Sequence, residues 1–266
     1  MSSAIDERML IVGGGRMGEA LLSGLLAAGR PASDLVVAEV SAHRREQLAA
    51  ARPDVTIVDT VVAAGSVVVA VKPADVPAVT RAVADAGARR LLSVAAGVTT
   101  QSIEAAAGRP LAVVRAMPNT PALIGAGAAA ISPGAIADED DLTWAEEVLG
   151  AVGVVVRVPE AALDAVTGLS GSGPAYVFMV AEAMTEAGVL VGLPREIAET
   201  LTFHTLLGSS RLLTEGGSTP AELRAGVTSP GGTTAAGLRE LERRGVRAAF
   251  LDAVAAATDR SRELGR

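Results

Sequence analysis

The chain has 266 residues, half of them apolar and a fifth charged, enough for one large domain or two modest ones with a sizeable core. Its formal net charge of −7 argues against general nucleic-acid binding, and its lack of cysteine excludes disulfides, thiol nucleophiles and thiolate metal sites. Residues 1–8 lack the pattern of a signal peptide, and prolines and glycines interrupt the uncharged stretch 116–137, so we expect a soluble cytoplasmic protein without a transmembrane helix.

An apolar run at 9–12 predicts a buried parallel strand, and the glycines after it indicate a nucleotide site. Gly13, Gly15 and Gly18 have the G-x-G-x-x-G spacing, and helical spacing follows them. The first glycine makes the tight turn, the second lets a pyrophosphate approach the backbone, and the third lets helix and strand pack closely. The next apolar run ends at the acidic Glu39, which suits a ribose. A Gly-rich turn without a ligand is the alternative, but this context favours a dinucleotide site.

Strands and helices alternate along the first part of the chain. Such alternation is typical of a parallel sheet covered by helices on both faces, so we expect an α/β fold. The predicted strands span 9–12, 34–38, 55–58, 66–71, 90–94, 111–115, 127–131 and 154–158, and the predicted helices include 17–28, 42–51, 77–86 and 138–149.

Further loops should meet the cofactor at the carboxyl edge of this sheet. At 70–73, Lys72 is either an ordinary solvated lysine or a residue whose backbone, held by Pro73, lines the cofactor. At 95–97, small residues leave room for a flat ring, with a plain strand-to-helix turn as the alternative. At 115–121, two prolines stiffen a loop that carries Asn119, and a structural turn would use similar residues.

After Pro159 the pattern is helical, over 161–167, 174–191, 194–214, 219–226, 233–244 and 246–264, with no convincing strand. We therefore place a domain boundary there, with domains 1–159 and 160–266. Segments such as 175–181 carry no charge, and helices that are apolar around most of their circumference are buried on most sides. We expect another subunit to cover these helices, so we predict a homodimer and leave open its assembly into larger homo-oligomers.

Hydroxyl residues surround a Pro-Gly-Gly turn at 227–234, where a helix is predicted to begin. The free amides and the dipole of a helix start suit a small anion such as a carboxylate, and a Ser/Thr-capped helix is the alternative. His43, on a solvent face, and His204, inside a helix, form no metal-ligand cluster, and no catalytic triad or carboxylate pair is apparent. Hydride transfer is consistent with this lack of catalytic side chains, because in such a reaction the cofactor carries the chemistry.

The chain resembles the pyrroline-5-carboxylate reductase family, and the resemblance spans nearly its whole length. The motifs that carry it are 13–18, 70–73, 95–97, 117–121, 167–176 and 227–234. It implies an N-terminal Rossmann dinucleotide-binding domain followed by an all-helical dimerisation domain. It also implies reduction of 1-pyrroline-5-carboxylate to L-proline by hydride transfer from NAD(P)H, the last step of proline biosynthesis, without a metal.

The same resemblance assigns roles to residues. The Thr234 hydroxyl would face the ring nitrogen of the substrate as the catalytic group, and Glu160 would be a substrate-proximal carboxylate. Ser229, Gly232, Thr233 and Thr234 would hold the substrate carboxylate. The residues assigned to the cofactor are Val12, Gly13, Gly14, Gly15, Arg16, Met17, Gly18, Glu39, Ala70, Val71, Lys72, Pro73, Ala95, Ala96, Gly97 and Asn119.

Cofactor preference and reaction type leave alternatives. Glu39 favours NADH, whereas Arg44 and Arg45 just beyond it suit the 2′-phosphate of NADPH, which the family usually prefers.

The nearest rival function is that of another Rossmann enzyme with a helical domain, an imine reductase or a β-hydroxyacid dehydrogenase. Such dehydrogenases generally use a lysine in the helical domain, and this chain has no lysine after Lys72. A nucleotide-sensing protein without catalysis would have little reason to keep the 229–234 turn.

Overall fold

The computed structural model describes residues 8–265. Residues 1–7, part of the segment in which no signal peptide is expected, and Arg266 lie outside the described residues. The chain forms two compact units, one comprising residues up to Ser172 with the chain from Ala255 onward, the other Gly173–Val254. This division differs from the boundary at residue 160 because the short helix after that point packs on strands of the sheet.

An eight-stranded sheet dominates the first unit, in the order β3-β2-β1-β4-β5-β6-β7-β8. The order reverses between β1 and β4, where open α/β sheets bind their ligands at the carboxyl ends of the strands. The strands are β1 (Met9–Val12), β2 (Leu35–Ala38), β3 (Thr56–Val58), β4 (Ser66–Val69), β5 (Arg90–Ser93), β6 (Ala112–Met117), β7 (Gly127–Pro133) and β8 (Gly153–Arg157).

The pairing of β6 with β7 departs from the predicted parallel arrangement, because these two strands are antiparallel whereas the other neighbouring pairs are parallel. Their connection holds only the 3-10 turn Thr120–Ile124. A parallel return would need a crossover of a dozen or more residues, usually with a helix, so the short loop turns the chain straight back.

Helices cover both faces of the sheet, as the sequence predicts. Met9 and Ile11 of β1 belong to one apolar cluster and Leu10 and Val12 to another, because successive side chains on a strand point to opposite faces. The helices of this unit are α1 (Arg16–Ala27), α2 (Ala42–Ala51), α3 (Val76–Asp85), α4 (Thr100–Ala107), α5 (Glu139–Gly150) and α6 (Leu163–Val166), followed by a π-turn, Thr167–Gly171. The mixed α/β fold is thus confirmed.

The second unit is helical and has little core of its own. Among its described residues, Ala198 is the buried apolar residue, accompanied by the buried polar Thr185 and Thr202. The remaining helices of the chain are α7 (Gly173–Leu190), α8 (Arg195–Glu215), α9 (Pro220–Gly226), α10 (Thr233–Arg243) and α11 (Val246–Leu264), the last part of α11 belonging to the first unit. No helix in the described part of the chain is long and apolar enough to cross a membrane.

Candidate cofactor and substrate sites

The glycine loop between β1 and α1 is shaped by close backbone contacts. Gly13 has φ +102°, and a Cβ there would lie 2.5 Å from the carbonyl oxygen of Ala70. A Cβ on Gly18 would overlap the carbonyl oxygen of Gly13. These two glycines therefore serve the fold, since they let the loop and α1 lie against the strands.

Gly15 differs from both, because it faces open space. It is the N-cap of α1 with φ −66° and ψ −173°, a conformation open to any residue, and no side chain caps the helix there. A Cβ on Gly15 would meet no atom within 4 Å. The amides of the first turn of α1 lack intrahelical partners, so open space and free donors coincide, as the pyrophosphate of a dinucleotide requires.

The end of β2 is bound to this loop by Glu39. One carboxylate oxygen, Oε2, accepts a hydrogen bond from the Gly14 amide at 2.8 Å, and Oε1 accepts one from the Ser41 amide at 2.8 Å. Arg44 donates from Nε to the Gly14 carbonyl at 2.7 Å and pairs with Glu19 at 2.5 Å. The Arg45 guanidinium donates to the Glu39 carbonyl at 2.9 Å. Of the charges expected to choose between NADH and NADPH, Glu39 and Arg44 therefore contact the glycine loop directly, and Arg45 contacts the chain just after β2.

The loops after β4 and β5 border a shared cavity. Pro73, Ala96 and Gly97 line a space of about 350 Å³, whose remaining lining comes from Thr167, Ser172, Ala257, Arg260, Ser261 and Leu264. Ala95 is buried, and Gly97 turns the chain with φ +77°. Lys72 is exposed, while its carbonyl accepts from the Asp75 amide at 2.9 Å. The structure thus gathers Pro73, Ala96 and Gly97 beside the carboxyl edge of the sheet.

Asn119 uses both ends of its side-chain amide within the protein. Its Oδ1 accepts from the Ala128 amide at 2.9 Å, and its Nδ2 donates to the Ser170 carbonyl at 3.1 Å. These bonds tie the loop after β6 to β7 and to the π-turn. Asn119 therefore has a structural task that its position in the sequence does not reveal.

Glu160 lies in the first unit, where it accepts three hydrogen bonds. They come from the Thr100 amide at 2.8 Å, the Thr100 hydroxyl at 2.7 Å and the Arg115 guanidinium at 3.0 Å. Burial on its own would raise the pKa of Glu160, but the hydrogen bonds from Thr100 and Arg115 outweigh it and hold that pKa below its usual value. Glu160 therefore stays ionised, caps the start of α4 and neutralises the buried Arg115. The sequence alone does not reveal these roles of Thr100 and Arg115, because Glu160 is distant from both in the chain.

The predicted substrate turn lies in the second unit, at the start of α10. The N-cap of that helix is Gly232, and no side chain caps it, so the alternative of an ordinary Ser/Thr cap does not describe it. The turn is closed by the Gly232 amide, which donates to the Ser229 carbonyl at 3.0 Å, and Gly231 has φ +70°. The first amides of α10, around Thr233 and Thr234, are thus left without a capping side chain.

The two predicted sites belong to different units, with the cofactor residues and Glu160 in the first and Ser229–Thr234 in the second.

Both His43 and His204 are exposed, as expected for His43. Over residues 8–265, no group of three or more His, Cys, Asp or Glu side chains is placed to hold a metal ion.

Comparison with known proteins identifies the family. Residues 160–264 match the family model "Pyrroline-5-carboxylate reductase dimerisation", and residues 8–97 match "NADP oxidoreductase coenzyme F420-dependent". A pyrroline-5-carboxylate reductase of Mycobacterium tuberculosis is 46% identical, covering 97% of this chain and 96% of the relative. One from Synechocystis is 44% identical, covering 96% of this chain and 97% of the relative.

Solved structures agree with the sequence relatives. A pyrroline-5-carboxylate reductase from Coxiella burnetii superposes with a TM-score of 0.92 at 35% identity, covering 98% of this chain and 99% of the other. The Plasmodium falciparum enzyme with NADP bound has a TM-score of 0.84 at 26% identity, covering 99% of this chain and 100% of the other. Prephenate dehydrogenase from Aquifex aeolicus, at 12% identity and a TM-score of 0.54, shares the fold alone. The chain belongs to the pyrroline-5-carboxylate reductase family.

Proposed function

We propose that this chain reduces 1-pyrroline-5-carboxylate to L-proline with NAD(P)H, as the last step of proline biosynthesis. The observation that carries the proposal is the similarity over 97% of the chain to enzymes of that name. Its physical counterpart is a pair of helix starts whose first amides have no capping side chain, one at α1 and one at α10. Such helix starts suit anions, here a pyrophosphate and a carboxylate.

The cofactor is proposed to lie along the carboxyl edge of the sheet, where its nicotinamide supplies the hydride. The 12–18 loop holds the pyrophosphate against the open side of Gly15, and Glu39 faces the adenosine ribose. The 70–73 and 95–97 loops shape the nicotinamide end together with Asn119, which fixes the loop after β6 through its two hydrogen bonds. The small side chains at 95–97 let a flat ring stack close to the substrate, since hydride transfer needs reacting atoms about 3–3.5 Å apart.

The substrate is proposed to bind at the start of α10. Ser229, Gly232 and Thr233 hold its carboxylate, and the Thr234 hydroxyl faces the imine nitrogen. A hydrogen bond or a proton at that nitrogen makes the neighbouring carbon electrophilic, which is the role assigned to Thr234. Glu160 enters as an ionised carboxylate near the substrate. Its lowered pKa and its three hydrogen bonds suit it to position α4 and Arg115, not to donate a proton.

A homodimer is proposed to form through the helical region 160–266, with larger homo-oligomers open. Large apolar side chains of this region are exposed within one chain: Phe178 to 62%, Met179 to 61%, Leu201 to 55% and Leu207 to 57%. Apolar faces of this extent are normally covered in a soluble protein, and this unit has almost no core of its own. A second copy covers them best, which agrees with the name of the family model that matches here.

The cofactor is proposed to be NADPH, with NADH also accepted. Glu39 has both carboxylate oxygens engaged by backbone amides, which reduces its repulsion of a 2′-phosphate. Arg44 and Arg45 supply positive charge at the same strand end. Location in the cytoplasm remains a prediction of the sequence.

A direct assay tests the function. The purified chain is mixed with 1-pyrroline-5-carboxylate and NADPH or NADH, and the absorbance of the reduced cofactor is followed while proline is quantified. We expect cofactor oxidation matched by proline formation. Cofactor that binds but is not oxidised, or oxidation without proline, would contradict the proposal.

A further inference from the structure

The cavity beside the nicotinamide loops has a wall that comes from the far end of the chain. Its lining joins Pro73, Ala96 and Gly97 to Arg260, Ser261 and Leu264 of α11. All of these residues belong to the first unit, although the first and last of them are far apart in the sequence. The C-terminal turns of α11 therefore border the space assigned to the nicotinamide.

The backbone of the chain end lies against the Gly97 turn itself. A Cβ on Gly97 would be 3.6 Å from the Leu264 carbonyl oxygen, and a Cβ on Gly265 would be 3.1 Å from the Gly97 carbonyl oxygen. The backbone of 264–265 thus packs closely against the backbone of Gly97. A shift of the helix end would open the cavity at Gly97.

A partly buried hydrogen bond holds the helix end in this place. The Ser261 hydroxyl donates to Oδ1 of Asp164 at 2.6 Å, and Ser261 is 6% exposed. Asp164 belongs to α6, which contacts β6 and β7 and leads directly into the π-turn whose Thr167 also lines the cavity. The bond therefore joins two walls of the same cavity, one from α11 and one from the π-turn.

We propose that Arg260, Ser261 and Leu264 form a wall of the nicotinamide pocket and that Ser261 is the positioning residue that holds this wall through Asp164. The inference rests on the proposed assignment of 95–97 to the nicotinamide. A fixed wall pre-orders the pocket, so less ordering is left to occur when the cofactor binds. Releasing it weakens binding of the reduced cofactor and disturbs the orientation of its ring.

Variants of the hydrogen bond test the proposal. Ser261→Ala and Asp164→Ala should each weaken NAD(P)H binding about three- to tenfold, the range for one intramolecular hydrogen bond. The double variant should lose no more than either alone, because both remove the same bond. Asp164→Asn keeps an accepting oxygen at that position and should bind almost as well as the unaltered protein. The matched control is Arg262→Ala. Arg262 lies on the same turn but outside the cavity lining, and it pairs with the exposed Asp259.

Two readouts separate positioning from general stability. Cofactor affinity is measured by fluorescence titration alongside the thermal unfolding midpoint, and hydrogen exchange is followed at 260–265 with and without cofactor. We expect bound cofactor to protect these amides in the unaltered protein and less so in Ser261→Ala. A chain ending at Glu263 should bind cofactor as weakly as Ser261→Ala.

The inference is overturned if Ser261→Ala and the shortened chain bind cofactor normally, or if the affinity falls only in step with the unfolding midpoint. Failure of the proposed function looks different. In that case the unaltered protein would bind NAD(P)H without reducing 1-pyrroline-5-carboxylate.

Discussion

Single residues of the glycine loop divide between two that the fold needs and one that faces open space. Gly13 and Gly18 have no room for a side chain, whereas Gly15 faces open space with an unstrained backbone. The G-x-G-x-x-G spacing predicted the motif as a whole, but only the contacts around each position tell these tasks apart. The difference gives a substitution that removes binding and leaves the fold.

Gly15→Val should therefore abolish cofactor binding without unfolding the protein. Its side chain would project into the space assigned to the pyrophosphate, and its backbone conformation is open to valine. We expect the cofactor affinity to fall at least about a hundredfold, since steric exclusion removes the whole pyrophosphate contact. Gly13→Val is the contrast, because φ +102° and the Ala70 carbonyl should make it lower the unfolding midpoint. Normal NAD(P)H titration of Gly15→Val would show that the loop is only a turn.

Thr234→Ala should lower kcat much more than it lowers cofactor affinity. Its hydroxyl is assigned to the imine nitrogen, and loss of one group that acts on the proton of a reacting atom costs about a hundredfold or more. Steady-state kinetics and cofactor titration measure the two effects. Thr228→Ala is the matched control, because that hydroxyl instead donates to the Arg224 carbonyl at 2.6 Å. Equal kcat values for the two variants would remove Thr234 from the proposed chemistry.

Glu39→Ser should move the ratio of kcat/KM values toward NADPH by about tenfold, which corresponds to about 1.4 kcal/mol. The substitution removes a carboxylate that repels the 2′-phosphate. Arg44→Ala with Arg45→Ala should move the ratio toward NADH. Because Arg44 also donates to the Gly14 carbonyl, the double change loosens the loop for both cofactors, so the ratio and not either rate is the measurement. A ratio unmoved by both changes would mean that this strand end does not select the cofactor.

At the scale of elements, the sequence predicts those whose signal is local. Apolar runs placed every strand of the sheet, and α2 and α11 begin and end at the predicted residues. The short helix α4 was not among the predicted helices, and its start is capped by Thr99 and by the distant Glu160. The antiparallel β6–β7 pair was likewise hidden, because it depends on the length of a loop rather than on the strands themselves.

The contacts of Glu160 should make the stability of the first unit depend on pH. Its folded pKa is lowered from 4.5, so its stabilising effect is present above about pH 4.5 and is lost as the pH falls through the folded value. Glu160→Gln should cost about 2 kcal/mol at pH 7, since it leaves the buried Arg115 charge without its partner. Urea unfolding of both proteins across this range should show the gap closing in acid. The exposed Glu46→Gln is the control, and a pH-independent gap would contradict the assignment.

For the whole molecule, the proposed dimer makes the stability of the second unit depend on a partner. Charge-poor helices predicted this dependence, and the structure adds that the described part of 173–254 buries Ala198 as its apolar residue. A core that small cannot offset the conformational entropy of ordering these helices. The sequence could not identify which positions meet the partner, because apolar residues such as the consecutive Val177, Phe178 and Met179 of α7 point to different faces of the helix.

Leu201→Glu should therefore dissociate the proposed dimer and unfold the helical unit with it. A charge in the centre of an apolar interface is costly to bury, and the freed helices have no core to retain their structure. Sedimentation equilibrium should give a smaller mass, and circular dichroism should show loss of helix. The unfolding midpoint of the unaltered protein should rise with concentration. Ile136→Glu is the matched control, because Ile136 is 54% exposed and Leu201 55%, but Ile136 lies in the first unit. A Leu201→Glu protein that keeps its mass and its helix would place the interface elsewhere.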